Sequence, residues 1–323
     1  MARRESFRGL RTCAVLIALL ALLAANACLP KPLSETGGGV NITLYGFSIM
    51  KEPLEKAIFP AFVAKAKAEH NIDIRFTSSF AGSETVTNQI LQGVKAQIAI
   101  LSIERDAQRL KQGGFVTSDW HTLPQKGIVN KTPFVILVRK GNPKSIHDFV
   151  DLAKPGIKLI HPDPTGSGGA QWSLLAIYGS ELVKSEKQTG VADRTRALQT
   201  LQAIWRNVIS TPASAREART TFELGNGDAL VTYELDGLLM KQSNSTADAE
   251  IVIPEATIFS EHPAERAFVK FNFRSTTNEA LSRENKELAT IKYPFTVDYF
   301  GGWEKAYPDI IEGVFRDQVQ KRK

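Results

Sequence analysis

The chain has 323 residues, 43% hydrophobic and 23% charged, with 23 Gly, 15 Pro and 2 Cys. This composition excludes collagen-like, low-complexity and disulfide-dense classes, and describes a core-forming protein of about two domains. The formal charge is +6, but Arg3, Arg4, Arg8, Arg11 and Glu5 carry half of it, and 36 basic residues then face 33 acidic ones, too even a balance for nucleic-acid binding.

Residues 1–27 read as a signal peptide. The arginines precede an almost wholly apolar run from Cys13 to Ala27, which ends Ala25-Asn26-Ala27. The run is shorter than the ~20 residues of a membrane-spanning helix. Two processing readings stand open at one bond. Ala25-Asn26-Ala27 suits an ordinary signal peptidase, whereas Ala27-Cys28 resembles a lipoprotein site and makes Cys28 a candidate lipid-attachment residue. Arg3-Arg4 with Phe7 only partly matches a twin-arginine signal. The chain has no cysteine after Cys28, which excludes an intrachain disulfide, a thiol nucleophile and a thiolate metal site in the exported part.

Residues 28–40, rich in Pro, Gly and Ser, read as a flexible tether. Asn41–Phe47 is a strand candidate, Leu54, Ile58, Phe62 and Val63 have helical spacing, and Ile72–Phe76 is a second strand. Val86, Ile90, Leu91 and Val94 predict a helix after the Gly82-Ser83 turn, and the apolar run Ala96–Leu101 predicts a buried parallel strand. The pattern then recurs: strands at 134–138 and 157–160, a Gly-rich turn at 165–169, helices at 170–179 and 192–207, and strands at 229–233 and 251–253. Strands alternating with amphipathic helices define an α/β class, here arranged as two similar lobes.

The most informative stretch is Pro164-Thr165-Gly166-Ser167-Gly168-Gly169-Ala170-Gln171-Trp172. It joins a strand to a helix, with Ser167 as a favoured N-cap and glycines that admit a ligand close to the backbone. Free N–H groups and the helix dipole favour an anion there. The stretch also reads as a simply capped helix, and the residues alone leave both readings open. It lacks the Gly-Lys-Ser/Thr of a Walker loop. Gly82-Ser83-Glu84-Thr85 repeats the same context in the first half, so a ligand between lobes is expected. A serine hydrolase built on His161, Asp163 and Ser167 is a weaker alternative, because no G-x-S-x-G elbow is present. The histidines are scattered without metal-ligand spacing, so no metal or other cofactor is expected. Glu217, Glu223, Asp228, Glu234 and Asp236 are expected mostly on solvated faces.

The segments Leu137–Leu152, Lys154–Ile160, Ser167–Trp172, Ser214-Ala215-Arg216 and Phe300-Gly301-Gly302-Trp303 are similar to the periplasmic sulfate/thiosulfate-binding proteins of ABC importers. The resemblance runs with gaps from about Leu44 to Asp317. It implies a type II periplasmic-binding-protein fold, each lobe a mostly parallel sheet flanked by helices. The first lobe would comprise 41–131 and a shortened return at 254–323, the second 132–253, with hinges near Thr132 and Pro254. It further implies a monomeric binder, not an enzyme, with no catalytic residues and no nucleic-acid partner, serving a membrane permease. The implied anion contacts are Ser83, Ser167, Gly168, Gly169, Ala215 and Tyr233, the last in place of a common Trp, with Met50 or Ile49 near the first strand. Phosphate, molybdate or tungstate are the alternative ligands. Three departures stand out: Glu84 where the family usually has Gly, Gln171 for a common Arg, and a shortened segment at 262–273. A Glu84 that faces the cleft would repel sulfate or accept a phosphate proton; one that merely begins a helix would do neither.

Overall fold

A computed structural model describes residues 39–116, 119–242, 249–263 and 290–322. The expected signal peptide, Cys28, the expected tether up to residue 38 and the part of the segment expected to be shortened from 264 onward lie outside these residues.

The fold rests on two sheets, one of three strands and one of seven. In the first, β1 (Gly39–Phe47) runs parallel to β3 (Ile98–Ile100), and β2 (Asp73–Ala81) lies on the other side of β1. Leu44 faces Ile98 and Gly46 faces Ile100, so the apolar ends of both strands reach the core together. A tight turn at Ser48–Met50 leads on toward helix α1 (Phe59–His70). Helix α2 (Ser83–Leu91) follows β2, and α3 (Glu104–Gln112) follows β3.

The larger sheet is organised by β4 (Ile128–Arg139), buried from Asn130 to Val138. Its first half pairs antiparallel with β9 (Ala256–Pro263), and its second half with β7 (Ala229–Tyr233) and β8 (Ala249–Val252). The pairs of β5 (Leu159–Ile160) with β7 and with β6 (Val208–Ser210), and of β9 with β10 (Tyr293–Phe295), are parallel. The sheets are thus mostly parallel, with β4 as the antiparallel exception, in the two-lobed type II architecture.

Helix α4 (Gly168–Thr189) crosses the middle of the molecule. It is buried without a gap from Gly168 to Ser185, and it stops where Gly190 takes a left-handed conformation, a common helix terminator. Beside it lies α5 (Arg194–Arg206), followed by α6 (Ala215–Glu223) and α7 (Glu234–Gln242). Helix α6 buries Ala215, Ala218, Arg219 and Phe222, the one-face spacing of an amphipathic helix. The last elements, α8 (Trp303–Ala306) and the helical segment Tyr307–Val319, close the core. Trp303 meets Trp172 edge-on at 4.7 Å, and Phe315 meets Trp205 at 4.6 Å.

The acidic group expected on solvated faces divides. Asp236 and Glu234 are buried, because Asp236 receives hydrogen bonds from the Arg219 guanidinium and the Thr232 hydroxyl. Of the apolar residues at helical spacing before β2, Leu54 is buried and Phe62 is 37% exposed.

Leu201 on α5 is fully buried in the main cluster. Leu201→Ala should cost about 2–5 kcal/mol, read as a lower guanidinium midpoint. A loss below about 1 kcal/mol would show that this part of the core collapses around the gap.

Candidate functional site

Several helix starts meet at one buried point. The first turn of an α-helix leaves its N–H groups without intrahelical acceptors, and the macrodipole makes that end positive. The starts of α2 at Ser83, α4 at Gly168 and α6 at Ala215 are all buried. They approach so closely that only glycine fits between them. A methyl on Gly82 would lie 2.2 Å from the Gly166 carbonyl oxygen, and one on Gly168 would lie 2.7 Å from Ser102 Cβ and 3.1 Å from Ser83 Cβ. A methyl on Gly169 would lie 2.9 Å from the Tyr233 hydroxyl and 3.1 Å from Ala215 Cβ. Ser83, Gly168, Gly169, Ala215 and Tyr233, singled out in the sequence, are therefore neighbours, and Ser167 stands at the cap of α4.

A chain of hydrogen bonds through Ser83, Ser102 and Tyr233 holds the cluster. Ser83 Oγ donates to Asp106 Oδ2 at 2.6 Å and accepts from the Ser102 N–H at 2.9 Å. Ser102 Oγ pairs with Tyr233 Oη at 2.8 Å. The Ser102 carbonyl accepts from Trp172 Nε1 at 2.7 Å and meets His262 Nδ1 at 2.9 Å. Burial pushes His262 down to about 3, so it is uncharged at neutral pH, and burial pushes the Tyr233 phenol up, so it keeps its proton. Ser167 Oγ accepts from the Ala170 N–H at 3.3 Å, a cap that uses a lone pair and leaves the hydroxyl hydrogen to donate. Behind the loop, Gln171 Nε2 donates to the Pro164 carbonyl at 3.1 Å, bracing it from its own side.

Charges surround this cluster in pairs. Glu84 does not carry a free carboxylate, since Arg105 donates to one oxygen at 2.9 Å and Arg109 to the other. Glu52 receives hydrogen bonds from Arg216 at 2.9 Å and Arg219 at 2.8 Å. Burial would raise the Glu52 carboxyl, but Arg216 and Arg219 outweigh it and hold it below the usual range. Asp106 is fully buried, and burial, then the nearby Glu84 charge, push it up to about 7.

Near the first strand, the Met50 sulfur accepts from Asn130 Nδ2 at 3.6 Å, and Ser48, two residues earlier, accepts the Arg216 N–H on Oγ at 3.3 Å. Ser48 thus joins the turn that follows Phe47 to the start of α6. The hydrolase arrangement does not form. His161 bonds the Pro162 carbonyl and the Ser173 hydroxyl, and Asp163 accepts from the Thr165 N–H. Sequence reasoning missed Ser102 and Asp106. Ser102 carries a usable signal, a polar residue at the carboxyl end of a buried parallel strand, where ligands gather in open α/β sheets. Among the described residues, no group of three acidic, His or Cys side chains could hold a metal, and no helix is long and apolar enough to cross a membrane.

Residues 42–282 match the family model of bacterial extracellular solute-binding proteins, and the chain belongs to that family. The sulfate-binding protein of Escherichia coli K12 is 31% identical, over 81% of this chain and 88% of its own length. The thiosulfate-binding protein of Escherichia coli K12 is 33% identical, over 70% of this chain and 66% of its own. Among solved structures, the sulfate-binding protein SubI from Mycobacterium tuberculosis H37Rv superposes with a TM-score of 0.73 at 26% identity, covering 84% of this chain and 99% of that one.

Tyr233→Phe should leave the Ser102 hydroxyl without this partner and cost about 1–3 kcal/mol of stability, measured by urea titration. An unchanged midpoint would mean that Ser102 finds another acceptor.

Proposed function

We infer that the protein is an exported solute-binding protein that encloses sulfate or thiosulfate between its lobes and delivers it to the membrane permease of an ABC importer. The carrying observation is the meeting of three buried helix starts, at Ser83, Gly168 and Ala215, on one cluster of uncharged donors. The N–H groups of Ser83, Gly168, Gly169 and Ala215 would point at the anion, joined by the hydroxyls of Ser167 and Tyr233. A hydrogen bond to an ion contributes roughly 1.5–3 kcal/mol, and a buried helix terminus up to ~2 kcal/mol. Several together offset the large cost of stripping water from a dianion.

Selectivity follows from protons. Sulfate and thiosulfate only accept hydrogen bonds at neutral pH, whereas hydrogen phosphate also brings an O–H that needs an acceptor. The pairing of Glu84 with Arg105 and Arg109 supports sulfate, because the carboxylate closest in sequence to Ser83 is already engaged. The protein acts as a binder rather than an enzyme. It works as a periplasmic monomer, with Cys28 as its candidate anchor.

The first lobe comprises 41–131 and 254–323, the second 132–253. The crossing at Thr132 falls where β4 exchanges β9 for β7 as its partner, and the crossing at Pro254 falls between β8 and β9. Bending at these two places would open and close the cleft.

Calorimetric titration tests the reading, with sulfate, thiosulfate, phosphate and molybdate in parallel. Sulfate should bind at ~1 μM or tighter, and Gly168→Ala should weaken it by about 100-fold or more, near 2.7 kcal/mol. Phosphate binding as tight as sulfate would overturn the selectivity argument. Silence toward every anion from a folded sample would overturn the function.

A further inference from the structure

The Ser83 hydroxyl is fully committed in the structure. Its hydrogen goes to Asp106 Oδ2 at 2.6 Å, and it accepts from the Ser102 N–H at 2.9 Å. It therefore has no hydrogen to offer an anion, although it sits at the start of α2 beside Gly168. Asp106 is buried completely, and its other oxygen, Oδ1, has no hydrogen-bond partner. Arg109 lies 3.6 Å from Oδ1, as a cation with nothing to accept a proton. Among the described partners of Asp106, the Ser83 oxygen is the one that can accept a hydrogen bond from it.

We propose that Asp106 is a proton-linked positioning residue: when the anion binds, Asp106 takes up a proton on Oδ2, donates it to Ser83 Oγ, and so turns the Ser83 hydroxyl hydrogen onto the anion. This rests on the reading above that a dianion binds at the start of α2. The proton comes from solvent, and the anion arrives and leaves without one. Two negative charges placed beside Ser83 oppose the Asp106 carboxylate in a dry site, and protonation removes the conflict while adding a donor. Ser83 can still accept from Ser102, since a hydroxyl oxygen has two lone pairs.

The groups around Asp106 favour this. Glu84 on α2 and the two arginines on α3, Arg105 and Arg109, face it, and both arginines are engaged with Glu84. Strand β9, which also packs on α3, brings His262, neutral at this pH, and Glu261, paired with Lys131 at 2.7 Å. Helix α8 brings only the exposed Glu304 and Lys305. Burial and the Glu84 charge lift Asp106 to about 7, so a further rise on binding falls in an accessible pH range.

The sign is fixed by linkage. A group whose pKa rises on binding takes up a proton, so affinity is flat below the free pKa and falls above it by about tenfold per pH unit. The test is calorimetric titration of the whole protein with sulfate at pH 6 to 9, in two buffers of different ionisation enthalpy. At pH 8 the wild type should take up about one proton per anion. Asp106→Asn should take up almost none and bind with a flat pH profile. Glu84→Gln removes one of the charges that raise Asp106, so it should keep the uptake but begin losing affinity at lower pH. Sulfate binding without proton uptake, or equal uptake by Asp106→Asn, overturns the proposal and leaves the function standing. If Asp106→Asn does not fold, an unshifted onset in Glu84→Gln overturns it. Failure of both sulfate and thiosulfate to bind at any pH overturns the function and this proposal together.

Discussion

The close approach of neighbouring groups to the backbone at Gly82, Gly168 and Gly169 is the constraint on which the rest depends. A helix dipole acts over about one turn, so several helix ends can share a charge only if they come nearly into contact. Side chains would hold them apart. At Gly82 even a methyl group would collide with the Gly166 carbonyl. The glycines therefore bring the helix ends together and also exclude water. In that dry space, each fixed N–H acts more strongly than it would in solvent.

Ser102 ties this arrangement together. Its N–H, carbonyl and hydroxyl reach Ser83, then Trp172 and His262, then Tyr233. One residue thereby links the first sheet's helices to α4, β7 and β9. The ionic groups stand outside this neutral chain in matched sets, Glu84 with Arg105 and Arg109, and Glu52 with Arg216 and Arg219. These charges orient the helices, while inside the cluster the dipoles act beside the buried carboxyl of Asp106. Breaking a buried pair is costly because it strands the remaining charge, so these sets also fix how α2, α3 and α6 are placed.

Much of this was legible in the sequence. The apolar runs of β3 and β7, the amphipathic stretch of α5 and the Gly-Ser turns before α2 and α4 follow from periodicity and capping alone. Strand β9 was not among the predicted strands; its Ser260 and His262 are buried on account of partners 128 and 160 residues away, the carbonyls of Thr132 and Ser102. Asp236 looked solvated for the same reason, since Arg219 pairs with it only once α6 packs on the sheet. The role of Glu84 could not be read locally either. Its arginines lie 21 and 25 positions on, and only the packing of α2 against α3 shows that they take both of its oxygens. The bond from the Arg216 N–H to Ser48 could not be read locally either, because it joins residues 168 positions apart.

The aromatic contacts of the last helical segments affect the order in which the molecule is made. Trp172 in the central helix packs on Trp303, Trp205 on Phe315, and the Arg105 guanidinium lies 3.6 Å from the centre of the Tyr307 ring. A chain emerging from the ribosome holds its central helix long before it holds these partners. Until residues 303–315 have been made, both tryptophans lack these rings, and the arginine bonded to Glu84 lacks its platform. A nascent chain short of those residues therefore has an incomplete core around its central helix.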